Sequence, residues 1–104
     1  MSQEQQPHIE ADGAGLRVSG ALTFATVTAL LRESRGLIGA GDGPLAVDLS
    51  GVTHADSAGL ALLMEWLRLA RDAGRELEYR AITEQMLAIA SAGGLLEILP
   101  LAPG

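Results

Sequence analysis

Cysteine is absent from this chain of 104 residues. That excludes disulfides, thiolate catalysis and cysteine-ligated zinc, and it fits a reducing compartment. Aromatic residues make up only 3% of the chain, so Leu, Ala, Val and Ile must fill the core. Basic residues are few: seven Lys and Arg stand against thirteen Asp and Glu, for a net charge of -6. A nucleic-acid binder needs a basic face, so that class is excluded, and direct docking on anionic lipid is disfavoured. No apolar run approaches the roughly 20 residues of a membrane span, so no direct membrane insertion is expected. The first residues, MSQEQQPHIEADG, are polar and acidic and show no secretory signal. A soluble cytoplasmic protein is the expectation.

What is present is an apolar fraction of 48%, well above that of a disordered chain. The length suits one compact domain with one core. Residues 1–7 read as a flexible tail. Residues 8–11 and 16–19 read as two short strands around Asp12-Gly13-Ala14-Gly15, with 20–22 a connection. Thr23 reads as the cap of a helix carrying Phe24, Val27, Leu30 and Leu31. Arg32-Glu33-Ser34-Arg35 reads as its solvated end, and Gly36, Gly39, Gly41 and Gly43 as a flexible loop. These glycines follow a helix and precede a strand, the reverse of a phosphate-cradling fingerprint.

Residues 45–49 read as a buried strand, followed by a short polar turn. A main helix spans 57–73 and is closed by Gly74. Residues 76–80 read as a strand. Thr83 caps a helix over 84–92, ended by Gly93-Gly94, and 95–101 form an apolar strand or short helix. The order ββαβαβα predicts an α/β fold, a mixed central β-sheet with helices packed on it.

At about 100° per residue, Leu60, Leu62, Leu63, Trp66, Leu67, Leu69, Ala70 and Ala73 fall on one half of the main helix and face the sheet. The other half carries a stripe at i, i+4, i+7, i+11: Ser57, Ala61, Met64 and Arg68. That stripe is the candidate partner-binding surface. Read more plainly, Ala61 and Met64 are tolerated on a solvated face. Arg68, Arg71 and Arg75 with Glu65, Asp72 and Glu76 read as solvated ion pairs.

Asp56 reads as the helix N-cap, accepting from Ala58 or Gly59. Ser57 then presents an exposed hydroxyl among free N–H donors, a place where a phosphoryl group would be favoured by the helix and opposed by Asp56. Asp48 reads as the end of a strand near the same helix start, orienting the turn or repelling a phosphate. A hydrolytic Ser57 would need a base. His54 lies in the same turn and His8 in a terminal strand, whereas triads draw on separate converging elements. Two histidines without cysteine make no metal site. No catalysis, no cofactor and no metal are expected.

Val47-Asp48-Leu49-Ser50-Gly51-Val52 followed by Asp56-Ser57-Ala58-Gly59-Leu60 resembles the signature of STAS domains, over residues 8–101. The resemblance implies a non-catalytic interaction module. In one branch, that of anti-sigma factor antagonists, the serine matching Ser57 is phosphorylated by a partner kinase. In the Mla-type branch, a cytoplasmic subunit binds the ATPase of an ABC transporter that moves phospholipid and maintains outer-membrane lipid asymmetry. Gly59-Leu60-Ala61-Leu62-Leu63 and Gln85-Met86-Leu87-Ala88-Ile89-Ala90 resemble the Mla-type branch, which implies association with an inner-membrane complex through that partner.

Overall fold

A computed structural model of the chain describes residues 7–13 and 15–102. The expected tail therefore lies outside the described residues, apart from Pro7. The elements are β1 (His8–Asp12), β2 (Gly15–Leu22), α1 (Val27–Ala40), β3 (Leu45–Ala55), α2 (Ser57–Asp72), β4 (Leu77–Arg80) and α3 (Glu84–Ala92). The order is the ββαβαβα read from the sequence. The four strands lie in the order β1-β2-β3-β4. The first pair is antiparallel, and β2–β3 and β3–β4 are parallel. Parallel neighbours need a crossover, and α1 and α2 supply the two.

Alternate strand residues enter the core: Leu16 and Val18 of β2, Val47 and Leu49 of β3, Leu77 and Tyr79 of β4. They form one cluster with Leu30 and Ile38 of α1, Leu63 and Trp66 of α2, and Met86 and Ala90 of α3. The helical rotation assigned to the main helix is the one observed. Trp66 and Leu63 are fully buried, whereas Ser57, Ala61 and Arg68 are exposed. Leu69 and Ala73 are half-buried. Gly74 has φ +71°, and its N–H and that of Arg75 bond to the C=O groups of Arg71 and Ala70. This is the Schellman closure expected of a glycine just past a helix. Thr83 caps α3 by accepting from the N–H of Met86 at 3.1 Å.

Five local expectations are corrected. Residues 20–22 are strand, because Gly20, Ala21 and Leu22 pair with Val52, His54 and Ala55 and are buried. The polar stretch after Leu49 is also strand, since β2 offers it a pairing partner through two register shifts. Thr23 does not cap α1. Its C=O accepts from the N–H groups of Thr26 and Val27, and Thr26 occupies the N-cap position with Phe24 left in the preceding turn.

The fourth correction is the end of α1. Gly36 and Gly39 lie inside the helix, and Ser34 is fully buried. Leu30, Ser34 and Ile38 form an i, i+4, i+8 stripe against the core, and that packing outweighs a glycine cost of about 1 kcal/mol each. Ser34 Oγ accepts from Trp66 Nε1 at 2.6 Å and donates to the C=O of Leu31 at 3.1 Å. Arg75 is buried rather than solvated. Its guanidinium donates to the C=O of Ile38 and of Gly43, both at 3.0 Å, and so closes the helix end from outside. The apolar tail forms turns and one bridge. Tyr79 N–H donates to Pro100 C=O, and Ala102 N–H donates to Tyr79 C=O, both at 2.8 Å.

Candidate functional site at the start of α2

Asp56 leaves β3 in an extended conformation and caps α2. Its Oδ1 accepts from the N–H of Ala58 at 2.8 Å and of Gly59 at 3.4 Å. Its Oδ2 accepts from the N–H of Phe24 at 3.2 Å, in the turn before α1. Desolvation pushes the carboxyl up, but the three backbone donors together hold it below the usual aspartate range. The turn is anchored twice more. Asp56 N–H donates to Leu22 C=O at 3.2 Å, and Ala55 N–H donates to Gln85 Oε1 of α3 at 2.9 Å. Gly59 is required by close packing: a Cβ there would stand 2.5 Å from the carbonyl oxygen of Leu22.

Ser57 is the first residue of α2 and is exposed. Among the described residues its hydroxyl makes no hydrogen bond to either histidine, and His8 stands 3.5 Å from Glu10. No group of three or more His, Cys, Asp or Glu that could hold a metal ion occurs among the described residues.

The stripe divides. Ser57 and Ala61 open onto a cleft of about 430 Å³ between α1 and α2, whose other wall is Phe24, Val27 and Leu31. Met64 is half-buried and packs on the core. Arg68 is exposed but engaged. It grips both carboxylate oxygens of Glu65 at 2.7 Å and reaches Asp72 at 2.9 Å. The hydrogen bond from Arg68 holds the Glu65 carboxyl below its ordinary value.

The α1 wall was not singled out as a site in the sequence. Phe24, expected within the first helix, lies in the turn before it and is 86% exposed. Within α1, Val27 and Leu31 form a stripe at i, i+4 distinct from Leu30, Ser34 and Ile38, and Phe24 joins it from the preceding turn.

Asp48 lies away from this turn. It sits inside β3, paired with Arg17 on one side and Arg80 on the other. Seven residues of extended chain lie between it and Asp56, a span on the order of 25 Å. With Glu10 opposite Arg17, the strands carry a row of alternating charge. The Ser50 N–H, donating to Asp48 Oδ1 at 2.8 Å, is the main cause of a lowered carboxyl pKa, with both arginines adding to it. A carboxyl lowered on folding stabilises the fold above its unfolded pKa, about 3.9, and loses that contribution as pH falls toward its folded value. Asp48→Asn is therefore expected to melt below wild type at neutral pH, with the gap narrowing as pH falls below the unfolded value of about 3.9. Thermal melts of both proteins across that range check this.

Among the described residues no helix is long and apolar enough to cross a membrane. No curated protein sequence matches the chain. Solved structures do. A chain of the Acinetobacter MlaFEDB complex in an ATP-bound conformation is 29% identical, with a TM-score of 0.80 over 91% of this chain and 99% of that one. An anti-sigma factor antagonist from Mycobacterium paratuberculosis is 22% identical, with a TM-score of 0.74 over 95% and 86%. The unphosphorylated form of the antagonist SpoIIAA is 15% identical, with a TM-score of 0.69 over 93% and 88%. The last two likenesses are of fold. A family profile described as "Mlab, STAS domain" matches residues 6–100. With its signature turn built around Asp56 and its ββαβαβα sheet in place, the chain belongs to the STAS domain family.

Proposed function

We propose that this chain is a non-catalytic accessory subunit that binds and supports the ATPase of an Mla-type phospholipid ABC transporter maintaining outer-membrane lipid asymmetry. The observation that carries the reading is the cleft between α1 and α2, where exposed Ser57 and Ala61 face the apolar side chains of Phe24, Val27 and Leu31. A helix face beside such a groove is a common docking mode, with its energy concentrated in a few side chains. The 29% identity with a chain of the MlaFEDB complex supports this branch. The domain, taken as residues 8–101, would then sit in the cytoplasm and reach the inner membrane through its partner. Met64 and Arg68 would form the outer margin of the interface.

Ala61→Glu places an unpaired charge in that contact. It is expected to weaken binding to the transporter ATPase by about tenfold or more, with an unchanged melt because the side chain points away from the core. Ser57→Ala should be milder, and Ser57→Glu more damaging beside Asp56. Co-purification and ATPase rate, read with a thermal melt, test this. A normally melting Ala61→Glu protein that co-purifies at wild-type levels removes the cleft as the interface.

A second reading rests on the exposed Ser57 hydroxyl at the start of α2. In it the chain is an anti-sigma factor antagonist switched by phosphorylation of Ser57. Capture of an anti-sigma factor kinase that phosphorylates Ser57, with no ATPase retained, selects that reading.

A further inference from the structure

We infer that Phe24 is the aromatic anchor of this cleft, that Asp56 is the residue positioning it, and that the occupant is an uncharged apolar segment of the ATPase partner. The inference rests on the docking reading above and adds which residue carries it and what chemistry it meets.

Phe24 is the chain's one phenylalanine and is 86% exposed, the largest exposure among the exposed large apolar residues. A ring left in water on a floppy loop would be unremarkable. This one stands on a fixed turn. Thr26 Oγ1 accepts from Thr23 N–H at 2.9 Å and donates to Ala21 C=O at 2.8 Å. Phe24 N–H is held by Asp56 Oδ2, from an element 32 residues away in sequence. With the backbone already held, only the ring's own rotation is lost on binding, which lowers the cost of using it as an anchor.

Charge complementarity fixes the occupant. Among the described residues Glu65 is the one ionisable side chain lining the cleft, and Arg68 binds both of its oxygens. The remaining polar groups are the hydroxyls of Thr28 and Ser57. An acidic segment would find no opposite charge in the lining and a basic one only a carboxylate already paired with Arg68, and either would lose hydration. An apolar segment with one or two neutral hydrogen-bonding groups fits.

Asp56 uses its two oxygens for two tasks, and chemistry separates them. Asparagine is as good an N-cap as aspartate, so Asp56→Asn keeps an oxygen on Ala58 and Gly59. Its amide NH₂ then faces Phe24 N–H, donor against donor, and the latch is lost. Asp56→Ser, with a single capping oxygen, makes the same separation with a smaller side chain.

The test uses the full chain and the purified ATPase subunit of the Mla-type transporter as the probe. Without partner, Asp56→Asn is expected to melt within about 4 °C of wild type while the Phe24 amide exchanges at least about tenfold faster. Affinity for the ATPase should fall about fivefold in Asp56→Asn and about thirtyfold in Phe24→Ala. The double variant should bind like Phe24→Ala alone, because both changes act through one ring. If Asp56→Asn does not fold, Asp56→Ser carries the same readings. Unchanged Phe24 exchange in the latch variant, or additive losses in the double variant, overturn the positioning role. Wild-type affinity in Phe24→Ala with binding lost in Ala61→Glu overturns the anchor and leaves the docking reading standing. Tighter binding of an acidic or basic segment than of a neutral one overturns the assigned occupant. Failure of the wild-type chain to bind the ATPase overturns the docking reading and the anchor with it.

Discussion

Trp66→Ala is expected to lower stability by about 3–5 kcal/mol, the largest loss of any single change considered for this fold. The ring is fully buried and belongs to the single core cluster. That cluster is built from the sheet and three helices, so the cavity is not expected to close by moving one element. A second cost comes from Ser34, which loses the indole donor held at 2.6 Å. The reciprocal change, Ser34→Ala, strands the indole N–H and should cost about 1–3 kcal/mol. Such losses are a large share of the roughly 5–15 kcal/mol that holds a domain together. Differential scanning calorimetry should show a fall in Tm of more than about 10 °C for Trp66→Ala. A melt within about 2 °C of wild type would contradict the assigned packing.

Gly59→Ala and Gly36→Ala are expected to move stability in opposite directions, though both glycines are helical. At Gly59 a Cβ would meet the carbonyl oxygen of Leu22 at 2.5 Å and its Cβ at 2.9 Å. The first atom is backbone of a strand paired with β3, so it cannot yield without disturbing the sheet. The start of α2 must lift instead, loosening the Asp56 N–H bond to Leu22. Overpacking of this kind costs about 1–3 kcal/mol, more than the helix-propensity gain of about 1 kcal/mol returns. Ser57 and Ala61 move with the helix, so binding at the cleft should weaken too. At Gly36 nothing lies within 4 Å of the added methyl. There the propensity gain stands alone, and stability should rise by up to about 1 kcal/mol. Chemical denaturation of the two variants measures both signs. A stabilised Gly59→Ala protein would refute the close approach of α2 to β2.

Much of this fold could be read locally. Asp56, Gly74, Thr83 and Gly94 mark helix ends by chemistry confined to a few neighbours in sequence, and Trp66, Leu63 and Leu67 declare their face by spacing alone. What could not be read depends on partners far away in sequence. Ser34 looks like a solvated serine until Trp66 of α2 is laid against it. Gly36 and Gly39 look like a loop until Ile38 is seen in the core and Arg75 at the helix end. The polar residues after Leu49 become strand only because β2 pairs with them. The candidate site divides the same way. Asp56, Ser57 and Ala61 were visible as a motif on one helix. The opposing wall was not, because Phe24 reaches the cleft through a turn whose geometry is set by a carboxylate from α2.

The two parallel pairings also set an order of assembly. The hairpin of β1 and β2 is the one strand pairing a growing chain can complete from neighbouring residues. β3 joins only after α1 has crossed back, and β4 only after α2 has done so. At synthesis rates of about 5–20 residues per second, β3 spends on the order of seconds as an apolar edge with its second neighbour still unmade. Over that interval Leu45 and Val47 would lack the strand neighbours, Leu77 and Tyr79, that they pair with in the fold. Slow steps in production of this protein should therefore lie at the closing of β4 on β3, and variants that delay it should be lost to aggregation rather than to reversible unfolding.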